Sequence, residues 1–564
     1  MKLAVEKRRA DVLVVGGGGA ASRAALSARQ AGADVRLLTK AALQSGGSTV
    51  HGASEIMSMG AAGFGSSDDS RESHYQDTMR AGRGFIDERL VRVLADEAPE
   101  RIKDLMALGV PFDHEGADLK LIKSDFGSHA RALGVKGKTG KAFVQALSDA
   151  LVASGVHIDE GIALVDLLRD AEGTVAGVLG FDTQRQVLVQ YEAPSVVLGT
   201  GGLHSAFELQ ASTAEMTGDG QAICWRHGAE LVNMEFHQLG PALVHPYIQL
   251  FSGSAFRLYP KLLDARSREF LHDYVPAGVT LQEVYDEKGF PFTSNNVSKY
   301  IDISMAREAA QGRGGPHGGI FFSFAHNTPE DLQRVLPNTA RWTQERGIDL
   351  GRDTLEAGVV FQCMNGGVRM TDGDAQSTVP GLYVIGELSG GVRGPERPGG
   401  NSLGEGQVFG HRAGVAAAKR AATGRARAQA ATLDASLADV HGALRRADMP
   451  EAVAVLTKRL RRMMQRHCLC EKTAEGLNAA LQTALETQAE AATDLGATPA
   501  TMMDLLGLRN MALASELVLR ACLNRNETRS GHYRLDHPRT DAALAHSFVM
   551  KRGDAGALFL THRY

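Results

Sequence analysis

The chain has 564 residues, a formal net charge of -4, and hydrophobic and charged fractions of 43% and 22%. This length allows about three or four structural units, and the composition is typical of a globular protein with an ample core. The charge balance gives no basic surface of the kind that binds nucleic acid. No apolar run approaches the ~20 residues of a membrane helix. We therefore predict neither a nucleic-acid partner nor membrane insertion.

The start of the chain and its cysteines add two expectations. Residues 1–10 are basic but short, without the apolar region and cleavage site of a secretory signal, so we expect a cytoplasmic location. The five cysteines include no Cys-x-x-Cys pair. This argues against a disulfide framework, a metal site or an iron–sulfur cluster within the chain.

The first elements are predicted to be a strand, a glycine turn, a helix and a second strand. Residues 11–15 are a β-branched run, residues 22–31 are alanine-rich and favour a helix, and residues 34–38 form another apolar run. A strand, helix and strand within about thirty residues form a βαβ unit.

Further elements follow along the chain. Residues 88–108 have the pattern of an amphipathic helix. Residues 195–198 and 382–385 predict buried strands, each followed by glycine. From about residue 426 onward the chain is rich in Ala, Leu and Arg and predicts a helical module.

The glycine turn matches a dinucleotide-binding fingerprint. In Gly16-x-Gly18-x-x-Ala21 the first glycine permits a tight turn, and the second lets a pyrophosphate approach the backbone. The small third residue lets the helix pack on the strand, with the phosphates at its positive end. A ribose-binding acid usually follows about twenty residues on, but the second strand ends in Thr39-Lys40. A plain NAD site is therefore disfavoured.

Several segments, in order along almost the whole chain, carry a closer resemblance. They are Thr39-Lys40 and residues 74–78, 84–112, 217–236, 381–403 and 527–532. In these segments the chain resembles the succinate dehydrogenase/fumarate reductase flavoprotein family, which includes L-aspartate oxidase. That family commonly ends its second strand in Ser-Lys or Thr-Lys, which accounts for the missing acid.

The resemblance implies an α/β fold with three parts. These are a Rossmann-like FAD-binding domain of the glutathione-reductase type, an inserted α+β capping domain and a C-terminal helical domain. We expect the FAD-binding domain at residues 1–236 and 356–425, the cap at residues 237–355, and the helical domain at residues 426–564.

The cofactor implied by the resemblance is FAD. Glu387 is expected to contact the ribityl chain, and Ser402 and Leu403 to meet the flavin through their backbone. The other predicted FAD-binding residues are Gly16, Gly18, Gly19, Ala20, Thr39, Lys40, Ser45, Gly46, Gly47, Ser48, Thr49, Gly201, Asp219 and Asn401.

One departure from the family concerns the flavin linkage. In its membrane-bound members, a histidine of an Arg-Ser-His-Thr segment carries the flavin covalently. Ser48 stands at that position in this chain. A serine cannot form the histidyl link, so we predict dissociable FAD. His51 is the alternative attachment residue.

A second departure concerns the substrate. Two dicarboxylate-binding histidines of the family correspond to Gly240 and Gln362, so charge-assisted contacts worth roughly 1.5–3 kcal/mol each are lost. We expect Gly240 to open space, and succinate, fumarate and aspartate to be poor substrates. Arg397 stands where the family binds a substrate carboxylate and is predicted to orient the substrate. Its structural alternative is an ion pair with Glu396 or Glu387.

The proton-transfer residue stays open. The family uses an arginine of an Arg-Asp motif on the cap, and no such pair occurs in residues 298–307. The predicted catalytic replacements are Arg307, Lys299 and Tyr300, beside Arg397 itself. His237, also assigned to the substrate site, and His245 and His129 are further candidates.

These features predict an FAD-dependent oxidoreductase that exchanges hydride between flavin N5 and a C–C or C=C bond. Its substrate would bear a carboxylate and differ from succinate and fumarate. An amine or amino-acid oxidase of the L-aspartate oxidase type is the alternative enzyme. A flavoprotein subunit that relays electrons to an iron–sulfur or other electron-transfer partner, and a non-catalytic FAD-binding scaffold, are the other hypotheses.

Overall fold

The computed structural model describes residues 2–424, 427–554 and 556–564. Its centre is a five-stranded parallel sheet. The order of its strands is Leu382–Val384, Ser195–Leu198, Val12–Val15, Val35–Thr39 and His157–Glu160. The middle strands are almost entirely buried, because helices cover both faces of such a sheet, and this explains their continuous apolar sequences.

The predicted βαβ unit is confirmed. Helix Gly19–Gln30, which we call the loop helix, connects the two neighbouring parallel strands. A second helix, Asn401–Thr423, packs along it and is called the long helix. Cβ atoms built on Gly410 and Gly414 would lie only 2.6 and 2.3 Å from carbonyl oxygens of the loop helix. The two backbones therefore meet at a distance that only glycine on the long helix permits.

Two further sheets and four helices complete this part of the chain, and the amphipathic helix predicted at residues 88–108 is confirmed among them. The larger sheet contains Val5–Arg9, Val187–Glu192, Val175–Asp182 and Ile162–Arg169, and the smaller one Ser58–Gly60, Ala130–Gly134 and Leu121–Lys123. The helices are Arg71–Gly82, Glu88–Ala107, Thr139–Ala153 and Asp219–Arg226.

The predicted cap contains an antiparallel sheet covered by helices. Its strands, in spatial order, are Gln249–Leu250, His237–His245, Leu355–Met364, Ile320–Ser323 and Lys261–Leu263. Its helices are Gly253–Phe256, Leu281–Asp286, Lys299–Ala310, Pro329–Val335 and Pro337–Gln344. Strand Leu355–Met364 belongs to this sheet, so the boundary expected after residue 355 falls at its first residue.

The predicted C-terminal helical domain is confirmed, but the chain ends in strands. The four helices are Ala430–Ala443, Pro450–Met464, Ala474–Thr493 and Met502–Asn524. A final hairpin of Ser547–Gly553 and Gly556–His562 pairs with Leu231–Val232 and so returns to the FAD-binding part. A composition dominated by helix formers hid this hairpin from the sequence analysis.

Among the described residues, no helix is long and apolar enough to cross a membrane. No group of three or more His, Cys, Asp or Glu side chains in the same residues is placed to hold a metal ion.

The close contact of the loop helix and the long helix leads to a first prediction. Gly414→Ala adds a methyl group 2.3 Å from a carbonyl oxygen, so the helices must separate at a cost of about 1–3 kcal/mol. We expect a lower melting temperature and less bound flavin. Val415→Leu, at a side chain 40% exposed on the same helix, is the control. Equal melting temperatures for the two variants would contradict the packing argument.

Candidate active site

A large cavity opens at the carboxyl ends of the central parallel strands, where open α/β sheets bind their ligands. Its walls come from the glycine turn, the turn after the second strand and the start of the long helix. The lining residues lie within 15–20, 38–58, 199–219, 362–363 and 386–407, with others at 125, 162–164, 250–252 and 290–291.

The glycine turn brings backbone to the cavity without side chains. Gly16 has a φ of +127°, and a Cβ there would lie 2.2 Å from the carbonyl oxygen of Gly199. Gly18 precedes the loop helix and provides no side-chain cap. The first N–H groups of this helix therefore face the cavity, apart from that of Gly19, which donates to Thr49 Oγ1 at 3.3 Å.

The long helix starts at the same cavity, also without a side-chain cap. Ser402 lines the cavity, and its buried hydroxyl has no hydrogen-bond partner among the described residues. Asn401 lies outside the lining. It accepts a hydrogen bond from His74 and donates one to Thr78, both at 2.9 Å, which fixes the helix start. Two uncapped helix N-termini at one cavity fit a pyrophosphate group.

Lys40 is held in place by several partners. Its Nζ donates to Asp219 Oδ2 and Thr217 Oγ1 at 3.0 Å, and to the carbonyl oxygen of Glu215 at 3.1 Å. Lys40 and Asp219 both line the cavity, as predicted for cofactor-binding residues. The ion pair neutralises this lysine inside the wall.

The Ser48 hydroxyl lies in a polar cluster at the cavity. It approaches Ser212 Oγ at 3.0 Å, His204 Nε2 at 3.3 Å and Glu387 Oε2 at 3.5 Å. The alternative flavin attachment residue, His51, is exposed, lies outside the lining and bonds the carbonyl oxygen of Ser45 at 2.7 Å. The buried His204 was missed by the sequence analysis, although it follows the glycines after strand Ser195–Leu198.

Arg397 is 8% exposed and lines the cavity. Its Nε and Nη2 donate to Gln238 Oε1 at 3.1 and 2.7 Å, and its Nη1 to the carbonyl oxygen of Pro398 at 2.9 Å. None of the carboxylates described forms an ion pair with it; Glu396 instead pairs with Arg83 at 2.9 Å. The guanidinium therefore keeps its charge available to a ligand.

Asp125 is a second charged group of this wall that the sequence analysis missed. Burial raises the pKa of its carboxyl to about 6, against the lowering effects of the Phe290 N–H and of the positive charges on Lys288 and Arg397. The residue lies in a loop without a recognisable motif, so only the fold shows that it shares the cavity with Arg397.

The space expected at Gly240 is filled. A Cβ built on Gly240 would lie 2.4 Å from Cε2 of the Phe290 ring, which itself lines the cavity. The expectation that Gly240 opens the pocket is therefore wrong, because an aromatic ring occupies the space that a side chain would take. Gln362 does line the cavity, as predicted.

The predicted proton-transfer residues lie away from the cavity. Arg307 forms an ion pair with Glu471 at 2.7 Å, and Lys299 lies 5.5 and 5.8 Å from the ring centres of Tyr300 and Tyr533. Of the lining residues, none is Arg307, Lys299 or Tyr300. The structure thus does not bring this group together with Arg397.

The candidate histidines also lie outside the lining. His237 is buried and bonds the carbonyl oxygen of Leu469 at 3.1 Å, and burial lowers its pKa to about 3. His245 stacks on His317 with ring centres 3.9 Å apart. His129 approaches the Ser128 hydroxyl at 2.8 Å.

Most predicted FAD-binding residues meet at the cavity. Those in its lining are Gly16, Gly18, Gly19, Ala20, Thr39, Lys40, Gly46, Gly47, Ser48, Thr49, Gly201, Asp219, Glu387, Ser402 and Leu403. Ser45 and Asn401 are outside it; the Ser45 hydroxyl donates to the carbonyl oxygen of Ala42 at 2.7 Å.

Comparisons with known proteins agree with this arrangement. Residues 11–403 match the family model described as FAD binding domain, and residues 457–563 match that described as Fumarate reductase flavoprotein C-term. A subunit of the fumarate reductase (CoM/CoB) of Methanothermobacter marburgensis is 30% identical, covering 96% of this chain and 97% of the relative. L-aspartate oxidase of Streptomyces coelicolor is 31% identical, covering 96% and 91%.

A solved structure supports the same relationship. Mycobacterium smegmatis Sdh1 in complex with UQ1 has a TM-score of 0.82 and 28% sequence identity, covering 99% of this chain and 94% of that one. The fold, the site and these matches define an FAD-dependent oxidoreductase. The chain belongs to the succinate dehydrogenase/fumarate reductase flavoprotein family.

Proposed function

We propose that this oxidoreductase forms or reduces a C=C bond next to a substrate carboxylate. The observation that carries the proposal is that Arg397, free of ion pairs with the described carboxylates, shares the FAD cavity with Asp125, a carboxyl of raised pKa. FAD supplies the redox chemistry by accepting or giving a hydride at N5.

Arg397 binds the substrate carboxylate in this proposal. A guanidinium has five N–H donors, and three of those on Arg397 already bond Gln238 and Pro398. The remaining donors, one on each Nη, are left for the ligand. Because both oxygens of a carboxylate can accept at once, such a contact fixes the substrate in position as well as binding it.

Asp125 moves the proton in this proposal. In the oxidative direction its carboxylate takes a proton from one substrate carbon as a hydride leaves the neighbouring carbon, so that a C=C bond forms. In the reductive direction the protonated carboxyl gives that proton back. A pKa of about 6 leaves both forms accessible near neutral pH.

A second candidate is oxidation of an amino acid. Here the ionised Asp125 would bind the substrate ammonium while Arg397 binds its carboxylate, since both groups face the same cavity. A relative named L-aspartate oxidase, 31% identical, favours this alternative. Release of ammonia and hydrogen peroxide from an amino acid in air would identify this reaction.

We also propose that the electrons reach an iron–sulfur or other electron-transfer partner. The support is the name of the Methanothermobacter relative, which is one subunit of its enzyme. Co-purification of a cysteine-rich protein that reoxidises the reduced flavin would support this partner. Rapid reoxidation of the isolated chain by oxygen would count against it.

The flavin is proposed to be dissociable, because Ser48 rather than a histidine reaches the expected attachment position. We expect denaturation with trichloroacetic acid to release all yellow colour into the supernatant. A flavin that remains on the precipitated polypeptide, found in a proteolytic peptide by mass spectrometry, would contradict this expectation.

The role of Asp125 is tested by the pH dependence of kcat. In oxidation kcat should rise as pH increases through about 6, since the carboxylate is the base; in reduction it should fall over the same range. Asp125→Asn should lose this step and about 100-fold in kcat. Asp118→Asn, in an exposed hairpin, is the control. An Asp125→Asn enzyme with an unchanged pH profile would refute the assignment.

A further inference from the structure

The cationic side chains of the cavity wall are held by carboxylates of the chain, with one exception. Lys40 pairs with Asp219 at 3.0 Å. Arg393 pairs with Glu405 at 3.0 Å, and both of these side chains are 2% exposed. Among the described lining residues, Arg397 alone is a cation without a carboxylate partner. The cavity therefore offers charge compensation to one substrate carboxylate.

The opposite part of the wall is apolar or neutral. The rings of Phe290 and Pro291 line it, and Gly240 lets the Phe290 ring pack directly on the cap sheet, with its Cε2 2.4 Å from a built Cβ. Gln362 supplies an uncharged amide. A second carboxylate here would lose its water without gaining a cation, and would lie in the same cavity as Asp125.

We infer that the substrate is a monocarboxylate whose apolar body packs against Phe290. This inference rests on the proposed function, because it takes the carboxylate to bind at Arg397. It holds for either reaction proposed above, since an amino acid with an apolar side chain is also a monocarboxylate. It excludes dicarboxylates such as succinate and L-aspartate as good ligands.

Binding to the oxidised FAD-loaded protein tests the inference without requiring turnover. The probes are 3-phenylpropanoate, monomethyl succinate and succinate, titrated anaerobically by calorimetry. Burial of the apolar body should make 3-phenylpropanoate bind at least about tenfold more tightly than succinate, with monomethyl succinate between them. Equal or tighter binding of succinate, or no binding of either monocarboxylate, would overturn the inference.

Variants at the apolar wall locate the effect. Phe290→Ala should weaken 3-phenylpropanoate binding about tenfold, whereas Phe321→Ala, half-buried on the cap sheet outside the cavity, should not. Phe290→Arg should reverse the preference in favour of succinate, because it adds the missing cation. Unchanged affinities in both Phe290 variants would overturn the inference.

The failure of the proposed function can be told apart from the failure of this inference. If monocarboxylates bind with the expected preference but never reduce the flavin, nor their 2-enoates reoxidise it, the proposed reaction is wrong and the substrate class stands. If Arg397→Gln binds 3-phenylpropanoate as tightly as the wild type, the carboxylate site is wrong and the inference falls with it.

Discussion

The architecture depends on the close packing of the loop helix (Gly19–Gln30) and the long helix (Asn401–Thr423). These helices belong to the two halves of the FAD-binding part, which the cap separates in sequence. Glycines at 410 and 414 allow the backbones to meet where a Cβ would clash with carbonyl oxygens. Because the helices are locked together, their N-termini open at one cavity.

This geometry couples the cofactor site to the substrate site. Arg397 lies in the loop that leads into the long helix, four residues before Asn401 binds His74 and Thr78. Any displacement of the helix start would therefore move the guanidinium relative to the glycine turn at Gly16. Reactions that need two groups held at a fixed separation gain most from such a rigid connection.

The local elements could be predicted from sequence, because they follow from patterns of neighbouring residues. Strand Ser195–Leu198 matches its predicted bounds, and helix Glu88–Ala107 ends one residue before its predicted end. The FAD-binding residues followed from the fingerprint and the family resemblance, and most of them line the cavity.

The remaining features depend on contacts between distant parts of the chain. Phe290 packs on Gly240, and Asp125 reaches the cavity of Arg397, only because the cap and the FAD-binding part fold against each other. No local pattern contains that information, so nothing in the sequence singled out Asp125, and Gly240 looked like a gap. Arg307 was selected from its position in a family segment, yet it pairs with Glu471 outside the cavity.

The most direct test of the account is anaerobic flavin photometry of the wild type and Arg397→Gln. Oxidised protein would be mixed with saturated monocarboxylates, and dithionite-reduced protein with the corresponding 2-enoates. The account predicts that at least one such acid changes the redox state of the flavin, and that Arg397→Gln slows this step about 100-fold while keeping its FAD. Equal rates in both proteins, or no reaction with any acid of either panel, would contradict it.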